Sequence, residues 1–173
     1  MGVGFIHDKM QVKFLILYNM SRVIQPVPMV VVQELTMIDG GFDYFTFAEC
    51  LNELVQTEHL TLSEDGLYQI TPKGVKNSAI CESSLPYTVR LKADQELAQC
   101  NKDLLRKSQV QGRVVSRDNG SYAVELSLRD DVQSVMRLQI MVPDKASGED
   151  LVQRFKKNPE QLFSKLISTL FDM

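Results

Sequence analysis

The chain has 173 residues, 44% of them apolar and 24% charged, values of an ordinary globular protein that argue against bulk disorder. A net charge of −3 argues against nucleic-acid binding driven by bulk charge, and no apolar run is long enough to span a membrane. Cys50, Cys81 and Cys100 are odd in number and far apart within predicted helices, so they suggest neither a disulfide framework nor a zinc pattern, and a reducing cytoplasm is the expected location.

At the start of the chain, Asp8 and Lys9 fall where a signal peptide would need its apolar core. Ile6, Met10, Phe14, Leu17 and Tyr18 recur at three- and four-residue spacing and predict a helix with one apolar stripe between Phe5 and Val23. Pro26 and Pro28 break it. Val31, Leu35 and Ile38 fit a second helix, although the Val30–Val32 run would suit a strand equally well; it is read as a helix, which Asp39-Gly40-Gly41 ends. Thr46 and Glu49 form a Thr-x-x-Glu capping box, so a third helix is expected to begin at Thr46, with Phe45 and Cys50 placed for a hydrophobic staple. Leu60-Thr61-Leu62 and Leu67-Tyr68-Gln69-Ile70 flank Ser63-Glu64-Asp65-Gly66 as a hairpin. Thr71-Pro72 then caps a helix expected to turn Val75, Ala79 and Ile80 inward as far as Glu82.

Beyond the break at Ser83-Ser84-Leu85-Pro86, a long helix is predicted from Tyr87 to Lys107 with a near-heptad stripe of Val89, Ala93, Leu97, Cys100 and Leu104. Something must cover that stripe, either this chain's own C-terminal part or, slightly favoured, a second copy in a homodimer. From Val110 the period changes to two. Strands on either side of Asp118-Asn119-Gly120, and a third from Val132 to Val142 ended by Pro143, predict a three-stranded antiparallel meander. Ser147 with Asp150 is read as the cap of a helix carrying Val152 and Phe155. Asn158-Pro159 starts a last helix, with Leu162, Phe163, Leu166, Ile167, Leu170 and Phe171, and both helices are expected to cover the sheet.

The order of devices from Phe45 to Gly74 resembles the second half of a winged helix-turn-helix domain, with a recognition helix, a two-stranded wing and a following helix. More narrowly, Tyr44-Phe45-Thr46 into Leu51-x-x-Leu54, with Tyr68-x-Ile70-Thr71-x-Lys73-Gly74, resembles an uncharacterised family of short bacterial winged-helix proteins known only as a domain of unknown function. The long helix further resembles the PadR type of regulator, which dimerises through helices outside the wing. The expected fold is therefore α+β. It comprises a winged helix-turn-helix over residues 1–82, a connector or dimerisation helix over 83–108, and a small domain over 109–173, three antiparallel strands followed by two helices.

The chain lacks the motifs of common enzyme classes: no Gly-x-Ser-x-Gly elbow, phosphate loop, dinucleotide-binding loop or His-Glu-x-x-His. Gly2-Val3-Gly4 precedes any strand and reads as a disordered start. His7 and His59 have no second ligand at useful spacing, and His59 is expected at a helix C-terminus, where partial positive charge suits the dipole. No enzyme, metal or cofactor is implied.

The resemblance instead implies a DNA-binding regulator contacting double-stranded DNA through Thr46, Glu49, Asn52, Glu53 and Gln56 on the recognition helix and Glu64 and Asp65 on the wing. Asn and Gln can pair bidentately with adenine, and Glu can accept from cytosine. The helix from Thr46 to Glu58 nevertheless has no Lys or Arg, and the residues up to Glu82 hold five basic side chains against ten acidic ones. An alternative is therefore a protein-interaction module that docks its acidic helix and wing on a basic partner. On the outward face of the meander, Arg113, Arg117, Arg129 and Arg137 form a possible anion patch.

Overall fold

The computed structural model describes residues 4–172, and among these the chain is mixed α+β, with seven α-helices and two three-stranded antiparallel sheets. Gly2 and Val3 lie outside the described residues. Contacts divide the chain into two units, Met1–Leu104 and Leu105–Met173.

In the first unit Asp8 caps α1 (Lys9–Met20) by accepting the Met10 N–H. The expected single stripe is replaced by burial nearly all round: Val12 and every residue from Leu15 to Met20 are buried, whereas Met10 is exposed. The reason is central placement. Helices α2 (Met29–Thr36), α3 (Tyr44–Gln56) and α4 (Pro72–Cys81) all pack against α1. Buried Asn19 on α1 donates through Nδ2 to the Leu35 carbonyl at 2.8 Å, fastening α1 to the end of α2. Gly40, at φ +69°, supplies the left-handed turn after α2.

The prolines did more than break a helix. Val27–Pro28 forms a two-residue strand, β1, against β3 (Leu67–Ile70), and β2 (Leu60–Leu62) pairs with the other side of β3, giving the order β1-β3-β2. Proline is tolerated there because β1 is an edge. The hairpin turn expected at Ser63–Gly66 forms, with Gly66 at φ +76°.

Helix α3 starts two residues before the expected position. Asp43, not Thr46, is its cap: the carboxylate accepts the Thr46 N–H at 2.8 Å, a bond that holds the Asp43 pKa below its ordinary value. No staple forms, since Phe45 is 79% exposed. At the other end the Glu58 N–H bonds the Val55 carbonyl and the His59 N–H bonds the Leu54 carbonyl, a Schellman pair with Glu58 at φ 61°.

Thr71 caps α4 as expected, accepting the Gly74 N–H at 3.1 Å. The inward face is not the apolar one. Gly74 and Ser78 are buried, while Val75 and Ile80 are exposed. Close approach explains this, because a Cβ at Gly74 would lie 2.3 Å from the His59 carbonyl oxygen. Only small residues fit between α4 and its neighbours.

After a 3-10 turn at Glu82–Ser84, α5 runs from Tyr87 to Gln109. Val89, Ala93, Leu97 and Leu104 belong to the core of the first unit, with Cys100 packed at its margin. Neither expected cover is the one observed: the stripe faces α1's own core rather than the C-terminal part, and these residues do not form a free dimer seam. Polar ties secure it. Tyr18 Oη donates to Asp94 at 2.7 Å, and Asn101 exchanges hydrogen bonds with the backbone at Arg22 and Ile24. The helix thus belongs to the first unit as far as Leu104.

The second unit holds the meander β4 (Val110–Ser116), β5 (Tyr122–Arg129) and β6 (Ser134–Val142) in the order β4-β5-β6. Val132, assigned to the third strand from sequence, lies in the preceding turn and is exposed. Asp144, not Ser147, caps α6 (Lys145–Lys157) by accepting the Ser147 N–H at 2.8 Å. Val110, Val124, Leu126, Leu128 and Met136 close a core with Val152 and Phe155 of α6. Helix α7 (Pro159–Phe171) adds only the half-buried Leu162, Phe163 and Leu166, leaving Ile167, Leu170 and Phe171 exposed. One helix covers the sheet, and the second packs chiefly on the first.

Candidate functional site

Two surfaces collect the residues singled out from the sequence, one in each unit. On α3, Phe47, Cys50, Leu51 and Leu54 are buried, so the helix turns Phe45, Glu49, Asn52 and Gln56 to solvent along one face. Thr46 is half-buried beside its cap. Glu64 and Asp65 stand exposed at the tip of the β2–β3 hairpin, without an ion-pair or hydrogen-bond partner among the described residues.

The acids of α3 are not bare. Lys9 of α1 pairs with Glu49 at 2.6 Å, and Lys13 pairs with Glu53. The Lys13 ammonium, by hydrogen bond and charge, holds the Glu53 carboxyl below its ordinary pKa, while Glu49 raises that of Lys9. Glu53, expected to face outward, is instead drawn toward α1. The α3 surface is therefore close to neutral, with the Asn52 and Gln56 amides four residues apart on the same face.

His59, between α3 and β2, does not behave as a charged helix terminus. Its Nδ1 bonds the Thr57 hydroxyl at 2.9 Å and its Nε2 bonds Asn77. Burial, with Lys73 and Lys13 nearby, lowers its pKa and favours the neutral ring. The site joins the end of α3, the hairpin and α4.

In the second unit, the meander's outer face and the residues at its margin enclose an open groove of ≈ 890 Å³. Of the four expected arginines, Arg113 and Arg137 line it, but Arg117 and Arg129 lie towards opposite ends of the sheet and do not. Lys107 and Lys156 join the lining. Glu125, the one carboxylate there, takes Nε and Nη2 of Arg113 at 2.7 and 2.6 Å and Gln139 Nε2 at 3.3 Å. Neither lysine was singled out from the sequence, because both come from helices outside the strand alternation that exposed the arginines.

A family model described as a domain of unknown function (DUF4364) matches residues 12–170, across both units. The chain belongs to this family. No curated protein and no solved structure matches it. Among the described residues of this DUF4364 chain, no helix is long and apolar enough to cross a membrane, and no three His, Cys, Asp or Glu residues are grouped to hold a metal ion.

Proposed function

We propose that this DUF4364 protein is a DNA-binding transcription regulator whose first unit is a winged helix-turn-helix. The observation that carries the reading is the order α1-β1-α2-α3-β2-β3 with sheet order β1-β3-β2. In this reading α2 and α3 are the helix-turn-helix, α3 enters the major groove and β2–β3 is the wing. Neutralisation of Glu49 and Glu53 by Lys9 and Lys13 removes much of the repulsion that an acidic α3 would meet at the phosphates. Asn52 and Gln56 then read base edges, adenine above all, with Thr46 near the helix start. A homodimer suits such a regulator, and because the α5 stripe is internal it would form through another surface.

A second reading, protein docking, is favoured by the free acids Glu64 and Asp65 at the hairpin tip and by exposed Tyr44 and Phe45, whose rings meet edge to face. One experiment separates the two. The purified protein is incubated with fragmented genomic DNA at low and then higher salt, and bound fragments are sequenced. Enrichment of a few fragments, weakened by salt and lost in Asn52→Ala/Gln56→Ala, is the outcome expected of a regulator. No enrichment at either salt would refute it. Asp65→Lys sharpens the contrast, raising nonspecific DNA affinity under the first reading and weakening capture of a basic protein partner under the second.

A further inference from the structure

The groove of the second unit points to a ligand the first unit does not involve. We propose that it binds the diphosphate moiety of a small phosphorylated molecule.

Four cations, Lys107, Arg113, Arg137 and Lys156, share this concave surface with a single carboxylate, Glu125. That carboxylate is already taken by Arg113, whose Nη1 remains free to donate. Lys107, Arg137 and Lys156 have no ion-pair partner among the described residues, although the chain as a whole is acidic. Like charges gathered in one groove repel one another, and an anion seated among them turns that repulsion into attraction.

The register explains how the arginines reach one ligand. Arg113 lies opposite Glu125 on β5, and Arg137 lies opposite Ser127, one step along the same face. Strand spacing of about 4.8 Å and a two-residue step put their Cα atoms roughly 12 Å apart, within converging reach of two long side chains. Each guanidinium offers a planar fork suited to phosphate oxygens, and Ser127 and Gln139 add neutral donors between them. Two phosphoryl groups match this spread of charge better than one. The ≈ 890 Å³ volume is that of a small-molecule site. No aromatic side chain lines it, so it lacks the stacking platform that single-stranded nucleic acid uses.

Calorimetric titration of the full chain with inorganic pyrophosphate tests the proposal, with inorganic phosphate and a short single-stranded oligonucleotide as comparisons. Pyrophosphate should bind more tightly than phosphate, and Arg137→Ala should weaken it about tenfold or more, as loss of a charge-assisted phosphate contact predicts. Arg154→Ala, which removes an exposed cation outside the groove, should leave binding within twofold. Circular dichroism confirms that each variant is folded. Absence of heat and of thermal stabilisation at millimolar pyrophosphate would overturn the proposal. Equal weakening by both variants would do so too, since it would mean diffuse charge attraction. Tighter binding of the oligonucleotide, lost with Arg137, would move the site to nucleic acid. Because the groove lies wholly within the second unit, failure of the DNA selection described above leaves this test intact.

Discussion

Glu58 should be the place where the first unit is most readily stabilised. It is the only residue other than glycine with positive φ among the described residues, at 61°, and it occupies the left-handed position of the Schellman pair that ends α3. A Cβ in that conformation costs about 1–2 kcal/mol, and Glu58→Gly removes it. Glycine's extra freedom in the unfolded chain offsets about 0.5–1 kcal/mol of the gain, whereas losing a carboxylate at a helix C-terminus adds about 0.3 kcal/mol. The Glu58 backbone carbonyl keeps its bond from Thr71 Oγ1 at 2.8 Å, so no contact of the turn depends on the side chain. The net expectation is about 1 kcal/mol of stabilisation, or roughly 4–8 °C in Tm for a unit of this size. Thermal and urea unfolding measure it. Glu58→Ala, which removes the charge and keeps the Cβ, should stay close to the parent. If Glu58→Gly were no more stable than Glu58→Ala, the strain assigned to this turn would not exist.

Gly74→Ala should destabilise by about 1–3 kcal/mol in the same unfolding assays, since the new Cβ meets the His59 carbonyl oxygen at 2.3 Å and backbone must move. His59 should make stability pH-dependent. Its folded pKa lies below the ordinary 6.5, so the unfolded chain takes up a proton first, and stability falls as pH is lowered from about 6.5 through the folded value. Urea midpoints at pH 7.5 and 5 should show that drop, reduced in His59→Gln. Tyr18, pushed up to about 12 by burial and by its hydrogen bond to Asp94, should keep its proton where the unfolded chain loses it. Its contribution is therefore full below pH 10 and lost as pH rises toward 12, and Tyr18→Phe should remove this dependence at a cost of about 1–2 kcal/mol. Lys13→Met frees the Glu53 carboxylate and should raise its pKa in an NMR titration. In the proposed regulator it should also weaken DNA binding, with Lys13→Met/Glu53→Gln restoring it.

Local devices were the legible part of the fold. Thr71-Pro72, Asn158-Pro159, the turns at Gly66 and Gly120 and the alternation of β4 and β5 act within a few residues of themselves and formed where expected. Errors arose where two local signals competed or where tertiary packing chose the face. Asp43 and Asp144 each accept the N–H three residues on, and so displaced the hydroxyl caps inferred at Thr46 and Ser147. Helix α4 shows packing overriding hydrophobicity, because its close neighbours admit Gly74 against the His59 carbonyl and Ser78 against Ser21, while Val75 and Ile80 are left exposed. Strand β1 was illegible for a simpler reason: two residues are too few to carry a period, and one of them is Pro28.

The candidate site was harder to read because charge is a property of neighbourhoods, not of segments. From sequence, Glu49 and Glu53 make α3 an acidic helix; in the fold they meet Lys9 and Lys13, which repeat with the same four-residue spacing on α1. That match was present in the sequence, but nothing local says which helix will lie beside which. The reverse holds for the arginines. Alternation put four on one face, yet a strand face is long, and only Arg113 and Arg137 come within reach of a common ligand, joined by lysines from α5 and α6. Sequence thus overstated the negative charge of α3 and misassigned the positive charge of the groove, for the same reason. In both cases the deciding neighbour came from a different element, so claims about what either surface binds rest on the pairing and not on the count of charged residues.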